Sequence, residues 1–180
     1  IKIGAQQSQR REFENPEHPS EAGLNLVLNT VTYDVKYYLP EWKGFDATIG
    51  VNGFYQQNQN KKAHDFVIPD YNSFDLGPFV FVKKSFKKIE ISAGVRYDSR
   101  SFSNKALYTR ESVDHGNEIV AYDPNDTTIV RQFAANNLSY SGLSGSLGSS
   151  FMINDAFSIK LNVGRGFRAP NISEISGKGV

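Results

Sequence analysis

The chain has 180 residues, with 20 Lys and Arg against 19 Asp and Glu, no cysteine and a mean hydropathy of −0.44. The net charge of +1 gives no field for general nucleic-acid binding, and the absence of cysteine excludes disulfide scaffolds and thiolate metal sites. Because no apolar run approaches the ~20 residues of a spanning helix, a helical membrane protein is also excluded.

The dominant pattern along the chain is an alternation of apolar and polar residues. From Ile89 to Tyr97 every second residue is apolar, and the residues between them include Glu90, Ser92 and Arg96. This period of two, together with many Val, Ile, Thr and Tyr residues, predicts strands with one apolar and one polar face. The pattern predicts an all-β protein of about seven strands, at 1–13, 24–39, 45–57, 71–83, 88–102, 138–152 and 157–168.

The links between these strands alternate in length. Tight turns are predicted at 40–44, 85–87 and 153–156, and long polar links at about 14–23, 58–70 and 103–137. An antiparallel up-and-down meander with short turns at one end and long loops at the other is typical of outer-membrane β-barrels. Aromatic residues cluster near both strand ends, as they do at membrane–water interfaces. The chain is therefore predicted to be a segment of a larger transmembrane β-barrel.

Two stretches depart from regular alternation. Pro78 lacks a backbone donor, which predicts a bulge or a local break in strand pairing. Arg165 falls on the apolar parity between Gly164 and Gly166, and a glycine-flanked bulge there would turn it inward. Pro170 predicts that the chain leaves regular pairing near the extracellular rim.

Residues 164–170 read G-R-G-F-R-A-P and are followed by Asn171 and Glu174. This stretch resembles the G-x-G-F-R-A-P segment in the barrel of TonB-dependent outer-membrane receptors. Residues 94–98, G-V-R-Y-D, resemble a recurring strand of the same family. The resemblance covers nearly the whole chain as successive barrel strands.

The resemblance implies a location in the bacterial outer membrane and a parent receptor that takes up a scarce nutrient, such as a ferric siderophore, cobalamin or a glycan. It also implies a plug domain, the TonB energy-transducing complex and outer-membrane lipid as partners, with no cofactor and no enzymatic activity. The chain starts inside a strand at Ile1, without an initiator Met, signal peptide or plug. The resemblance thus implies that residues 1–180 are part of a barrel domain of about 22 strands. Such a segment, alone, is expected to self-associate through its edges and apolar face.

Candidate ligand or plug contacts lie at three places. Arg96, Asp98 and Arg100 share a polar face, where they are expected to form an ionic ladder along the lumen. Arg168 is expected to face the lumen and to contact the plug or an anionic substrate, or alternatively to form an internal salt bridge or to be a solvated wall residue. Loop 103–137 is expected to reach the ligand or to be a mobile loop without a ligand role; its candidate residues are Tyr108, Arg110, Tyr122 and Arg131.

The remaining polar groups give weaker signals. His18, His64 and His115 lie far apart in predicted loops, and no metal or catalytic motif emerges. A run of lysines around one short turn is suited to lipid headgroups or simply to solvent; it comprises Lys83, Lys84, Lys87 and Lys88.

Two other folds were compatible with part of the pattern. A soluble β-sandwich that binds a ligand such as a carbohydrate would place its aromatic residues on one concave surface. A small complete barrel with an enzymatic lumen would need an even strand number and a catalytic Ser or His facing inward.

Overall fold

The computed structural model describes residues 1–13, 21–112 and 116–176. Within these residues the chain forms ten strands and one short helix: β1 (Lys2–Glu12), β2 (Leu24–Tyr38), β3 (Phe45–Asn60), β4 (Tyr71–Ser85), β5 (Ile89–Asn104), β6 (Leu107–Ser112), β7 (Gly116–Val120), β8 (Ile129–Phe133), β9 (Asn136–Met152), β10 (Ser158–Arg165) and α1 (Ile172–Ser176). The described part of the chain contains no helix that is long and apolar enough to span a membrane.

Seven of the strands form one antiparallel sheet in the order β1-β2-β3-β4-β5-β9-β10. Each strand of this sheet pairs with the one before it, which confirms the predicted seven-strand meander. The tight turns join β2 to β3, β4 to β5 and β9 to β10 at one end, here called the turn end. The long links join the strands at the opposite end, here called the loop end.

The predicted long polar link at 103–137, between β5 and β9, contains strands that the sequence pattern did not predict. It contains a separate three-stranded sheet in the order β7-β6-β8. Leu107 at the start of β6 and Phe133 at the end of β8 are buried together with Phe66 from the neighbouring loop. This small core stabilises a sheet whose strands are too short to give a clear period-two signal in the sequence.

The strand register divides the side chains of the large sheet between two faces. Ile49 lies opposite Val80, Val80 opposite Val95, and Val95 opposite Gly145. Directly opposite residues point to the same side of a sheet, so these residues define one face, here called the apolar face. The opposite side, here called the polar face, holds every carboxylate of the seven strands: Glu12, Asp34, Asp46, Asp75, Glu90 and Asp98.

On the apolar face of β5, apolar side chains occupy only the part nearer the turn end, whereas Phe74 of β4 lies further along, opposite Ser101. In β5 they run from Ile89 to Tyr97, and Ser99, Ser101 and Ser103 continue the same face towards the loop end. Eight steps of about 3.4 Å, on a strand tilted by about 40°, give an apolar band about 21 Å tall. That height is close to the lipid-facing band of about 25 Å in outer-membrane barrels.

Pro78 interrupts pairing on one side of β4 only. The β3 register runs through Val51 opposite Pro78, whereas the β5 register passes from Leu76 opposite Ser99 directly to Phe79 opposite Arg96. The predicted local break in pairing is therefore confirmed on the β5 side.

Buried side chains concentrate at the loop end rather than between layers. Leu24, Leu26, Tyr71 and Phe102 are buried on the polar face near the loop ends of their strands. By contrast, many apolar side chains of the apolar band are exposed, including Val95, Leu147 and Leu161. The fold therefore covers one end of the polar face and leaves the apolar band open.

Candidate functional site

Arg96 anchors a polar cluster that spans three strands. Its Nε donates to Asp98 Oδ1 at 2.6 Å, and its Nη1 donates to Asn52 Oδ1 on β3 at 2.7 Å. The guanidinium passes over Gly77 of β4, where any Cβ atom would overlap it. The glycine therefore lets a side chain from β5 lie flat on the polar face and reach β3.

Arg100 forms another ion pair on the polar face, with Asp75. It donates two hydrogen bonds to Asp75 of β4, from Nε at 2.7 Å and from Nη2 at 2.6 Å. The two side chains are only 19% and 22% exposed. The predicted ladder forms in part. Arg96 forms an ion pair with Asp98 of the same strand, as expected, whereas Arg100 forms one with Asp75 of the neighbouring strand.

Arg100 also holds the segment that follows β10. Its Nη1 donates to the carbonyl oxygen of Pro170 at 3.0 Å and, more weakly, to that of Ala169 at 3.4 Å. Residues 166–171, here called the strap, therefore lie across the polar face rather than continuing the sheet. The Phe167 N–H donates to Ser144 Oγ at 3.0 Å, and the Phe167 ring covers Gly142, where a Cβ would overlap it.

The start of the strap corrects two predictions. β10 ends with Arg165 opposite Gly145, halfway along β9, so the chain leaves the sheet well below the loop end rather than at the rim. The register is continuous from Ser158 to Arg165, so no bulge turns Arg165 inward, and it stays on the apolar face. The reason for the early exit is that Phe167 has a place over Gly142 on the polar face, which requires the backbone to leave the plane of the sheet.

Arg168 and Glu174 hold the end of the strap together. Arg168 donates two hydrogen bonds to the Glu174 carboxylate, at 3.0 and 2.7 Å, and Asn171 and Glu174 cap each other at the start of α1. The hydrogen bond from Arg168 lowers the pKa of Glu174, and the same contact raises the pKa of Arg168. The geometry is that of the internal salt bridge, while the predicted contact with a plug or ligand remains a prediction.

The four candidates in the link between β5 and β9 come together on one side of the small sheet. Tyr108 lies opposite Arg131, Arg110 follows on the same face of β6, and the Tyr108 and Tyr122 rings lie 4.9 Å apart. Tyr122 is 62% exposed. Arg110 pairs with Asp126, whose pKa is lowered chiefly by hydrogen bonds from Thr128 and also by Arg110. Within the described residues Arg131 has no ion pair, so two tyrosines and one free guanidinium form an open surface.

Three asparagines whose side chains bind the loop backbones were not predicted from the sequence. Asn58 Nδ2 donates to the carbonyl oxygen of Pro69 at 3.1 Å, and Asn60 Nδ2 to that of Ile68 at 3.0 Å. Asn104 Nδ2 donates to the carbonyl oxygen of Ala134 at 2.7 Å. All three asparagines are buried at the loop end of the polar face. These side chains bind the backbones of the β3–β4 link and the β5–β9 link to the loop end of the sheet.

A signal for these residues was present. Asparagine is unfavourable inside strands, and a glycine in a strand interior marks a close approach by another group. The three asparagines lie on the polar parity in the last three residues of β3 and at the end of β5. Gly77 and Gly142 lie under Arg96 and Phe167. The partners themselves could not be read from the sequence.

Of the three histidines, only His64 lies within the described residues. Residues 14–20 and 113–115, which include His18 and His115, lie outside the described part of the chain, and His64 lies 3.6 Å from the carboxylate of Glu21. Among the described residues, no group of three or more His, Asp or Glu side chains is placed to hold a metal ion.

The chain matches a known protein family. The model of the TonB dependent receptor-like β-barrel family matches residues 4–179. A comparison with curated proteins gives no significant match.

Proposed function

The chain belongs to the TonB-dependent receptor family as part of its β-barrel, a barrel of outer-membrane transport, and on that premise we propose that residues 1–180 form part of the wall of a receptor for active uptake of a scarce nutrient such as a ferric siderophore. The observation that carries the proposal is the division of one sheet into two faces. An exposed apolar band is suited to lipid, and an ion-paired polar face is suited to a hydrated lumen.

The polar face supports the proposal of a plug domain as a partner. Arg96 and Arg100 each donate two hydrogen bonds within the wall, to Asp98 and Asn52 and to Asp75 respectively. Their carboxylate partners keep the wall near electrical neutrality, so a folded domain can lie against it without leaving an unpaired buried charge. The TonB energy-transducing complex would act on that plug rather than on these strands.

The exposed side of the small sheet is the proposed ligand contact. Tyr108 and Tyr122 offer ring faces and hydroxyl groups, and Arg131 offers a guanidinium that no described carboxylate neutralises. Rings beside a free cation are suited to an anionic, partly aromatic iron chelate. Arg110 is a weaker candidate because Asp126 already occupies it.

A soluble β-sandwich is not favoured by this arrangement. A sandwich needs two sheets packed face to face, whereas seven strands here lie in one sheet and the apolar band is uncovered. The isolated 180-residue chain leaves β1 and β10 as edge strands beside that exposed band. We therefore expect it to self-associate unless it is completed by further strands or covered by detergent.

The experiment is an uptake assay in cells that lack the full-length protein carrying this chain and are complemented with variants. Uptake of iron-55 from a panel of ferric siderophores is measured with and without a protonophore. For a matching chelate, we expect energy-dependent uptake that falls at least tenfold in the combined variant Tyr108→Ala, Tyr122→Ala and Arg131→Ala. Lys105→Ala, which removes an exposed cation near the same sheet, is the control. Uptake of every tested chelate that is unaffected by loss of the protein would contradict the iron-chelate proposal.

A further inference from the structure

Four lysines surround the turn end of the sheet where two turns lie side by side. β3 pairs with β4, and Phe45 lies directly opposite Lys84. The turn between β2 and β3 therefore lies next to the turn between β4 and β5. We call this surface the turn rim; it consists of Lys43, Lys84, Lys87 and Lys88 with Trp42 and Phe45.

Two of the ammonium groups are held over aromatic rings. Lys84 Nζ lies 4.0 Å from the centre of the Phe45 ring and 5.4 Å from that of Phe86. Lys43 Nζ lies 5.0 Å from the Trp42 ring, which in turn stacks on Phe45 at 6.4 Å. A cation over a ring face keeps its N–H donors free for an anion on the other side. Aromatic rings thus position two of the four rim cations, Lys43 and Lys84.

The charges of this region are divided between the two faces. Lys83 points to the polar face and lies 3.9 Å from Asp46 and 3.6 Å from Glu90. Lys84, the next residue, points to the apolar face, where the described strands carry no carboxylate. Lys43, Lys87 and Lys88 also form no ion pair with any described residue. The rim lysines therefore form no ion pair in the described residues, and Glu41, beside Trp42, is the one carboxylate in the two turns.

The position of the rim identifies the partner. The apolar band begins at Ile89 and Phe45, immediately beside the lysines, and Trp42 is 66% exposed at the same level. With the band in a bilayer, these groups lie at the depth of the headgroups, where Trp and Lys are favoured. We propose that the turn rim binds the phosphate groups of anionic glycerophospholipids in the leaflet that faces the short turns.

This inference rests on the apolar band lying in a membrane, but not on any nutrient, so its failure would leave the uptake proposal untouched. The full-length protein that carries this chain is purified in a neutral detergent and mixed with phosphatidylglycerol or phosphatidylcholine, and retained lipids are counted by native mass spectrometry. The test variant is Lys84→Gln with Lys87→Gln. The matched control is Lys61→Gln with Lys62→Gln, which removes two lysines at the loop end.

We expect preferential retention of phosphatidylglycerol by the wild type, with affinity falling roughly fivefold for each rim lysine removed, since one cation near an anionic surface contributes about that factor. The control is expected to bind like the wild type, and added inorganic phosphate is not expected to displace the lipid. Folding of each variant is checked by the heat-dependent mobility of the barrel in gels. Equal retention of the two lipids by the wild type, or equal loss in the rim and control variants, would overturn the proposal. Displacement by inorganic phosphate would overturn it as well, because the site would then be one for a free ion.

Discussion

Arg100 is the residue whose removal tests the polar wall most sharply. Arg100→Met keeps the length of the side chain but removes two hydrogen bonds to Asp75 and the bond to the carbonyl of Pro170. Breaking a fully buried ion pair costs about 3–5 kcal/mol, because the remaining charge is left without a partner. Since a fifth of each side chain is exposed, solvent screens part of this cost, and about 2–3 kcal/mol is expected.

The loss of the strap contact adds a local effect to this global one. One neutral acceptor at 3.0 Å contributes about 1 kcal/mol, so the strap should open about fivefold more often in the variant. The opening is measured from the labelling rate of a cysteine at position 169 (Ala169→Cys) in the full-length receptor, which is convenient because the 180 residues contain no cysteine. Unfolding in urea in detergent gives the global free energy.

Two controls separate these effects. Arg96→Met also breaks an ion pair of the wall, but Arg96 has no bond to the strap, so labelling at position 169 should not change. In the double variant Arg100→Met with Asp75→Asn, the orphaned carboxylate is gone, and part of the stability should return. If Arg100→Met changed neither the urea midpoint nor the labelling rate, the reasoning would be refuted.

Three further predictions concern the strap and the loops. Gly142→Ala should displace the Phe167 ring and raise the labelling rate at position 169, whereas Gly145→Ala, where a Cβ meets only an ordinary contact of 3.5 Å, should not. Asn58→Ala should lower the free energy of unfolding by about 1–2 kcal/mol, because the carbonyl oxygen of Pro69 loses its donor. The same variant should raise amide hydrogen exchange in residues 61–70. Gln59→Ala, on the opposite face, is the control. Because the pKa of Glu174 is lowered by Arg168, this pair should stabilise α1 at neutral pH. That contribution should be lost only as the pH falls below the ordinary carboxyl pKa of 4.5. The measurement is the amide hydrogen exchange of residues 172–175 across this pH range. Glu174→Gln is the pH-insensitive reference.

The period-two pattern was sufficient to predict the seven strands of the large sheet because their side chains face two different environments. Ile89 to Tyr97 alternates cleanly since one side is apolar and the other carries Arg96 and its partners. The same rule failed for β6, β7 and β8, where strands of five or six residues are stabilised by Leu107 and Phe133 against Phe66 in another loop. A contact of that kind depends on tertiary structure and leaves no local pattern.

The polar cluster was predictable in its residues but not in its pairs. Arg96 and Asp98 are two positions apart on one strand, so their pairing follows from parity. Arg100 and Asp75 are 25 positions apart, and their pairing follows only from the register of β4 against β5. The fold of the strap over Gly142 was likewise hidden, because the glycine alone marks a close approach without naming the group that approaches.

The central claim is that one face of the sheet contacts lipid and the other faces an aqueous lumen or a plug. It is tested most directly by spin labels placed on single cysteines in the reconstituted full-length protein, at Ile91 and Leu147 on the apolar face and at Ser92 and Ser146 on the polar face. Electron paramagnetic resonance then measures the access of oxygen, which concentrates in lipid, and of a water-soluble nickel complex. We predict high oxygen access and low nickel access at Ile91 and Leu147, with low oxygen access at Ser92 and Ser146. Equal access at all four positions, or the reverse alternation, would contradict the assignment of the faces and with it the barrel wall.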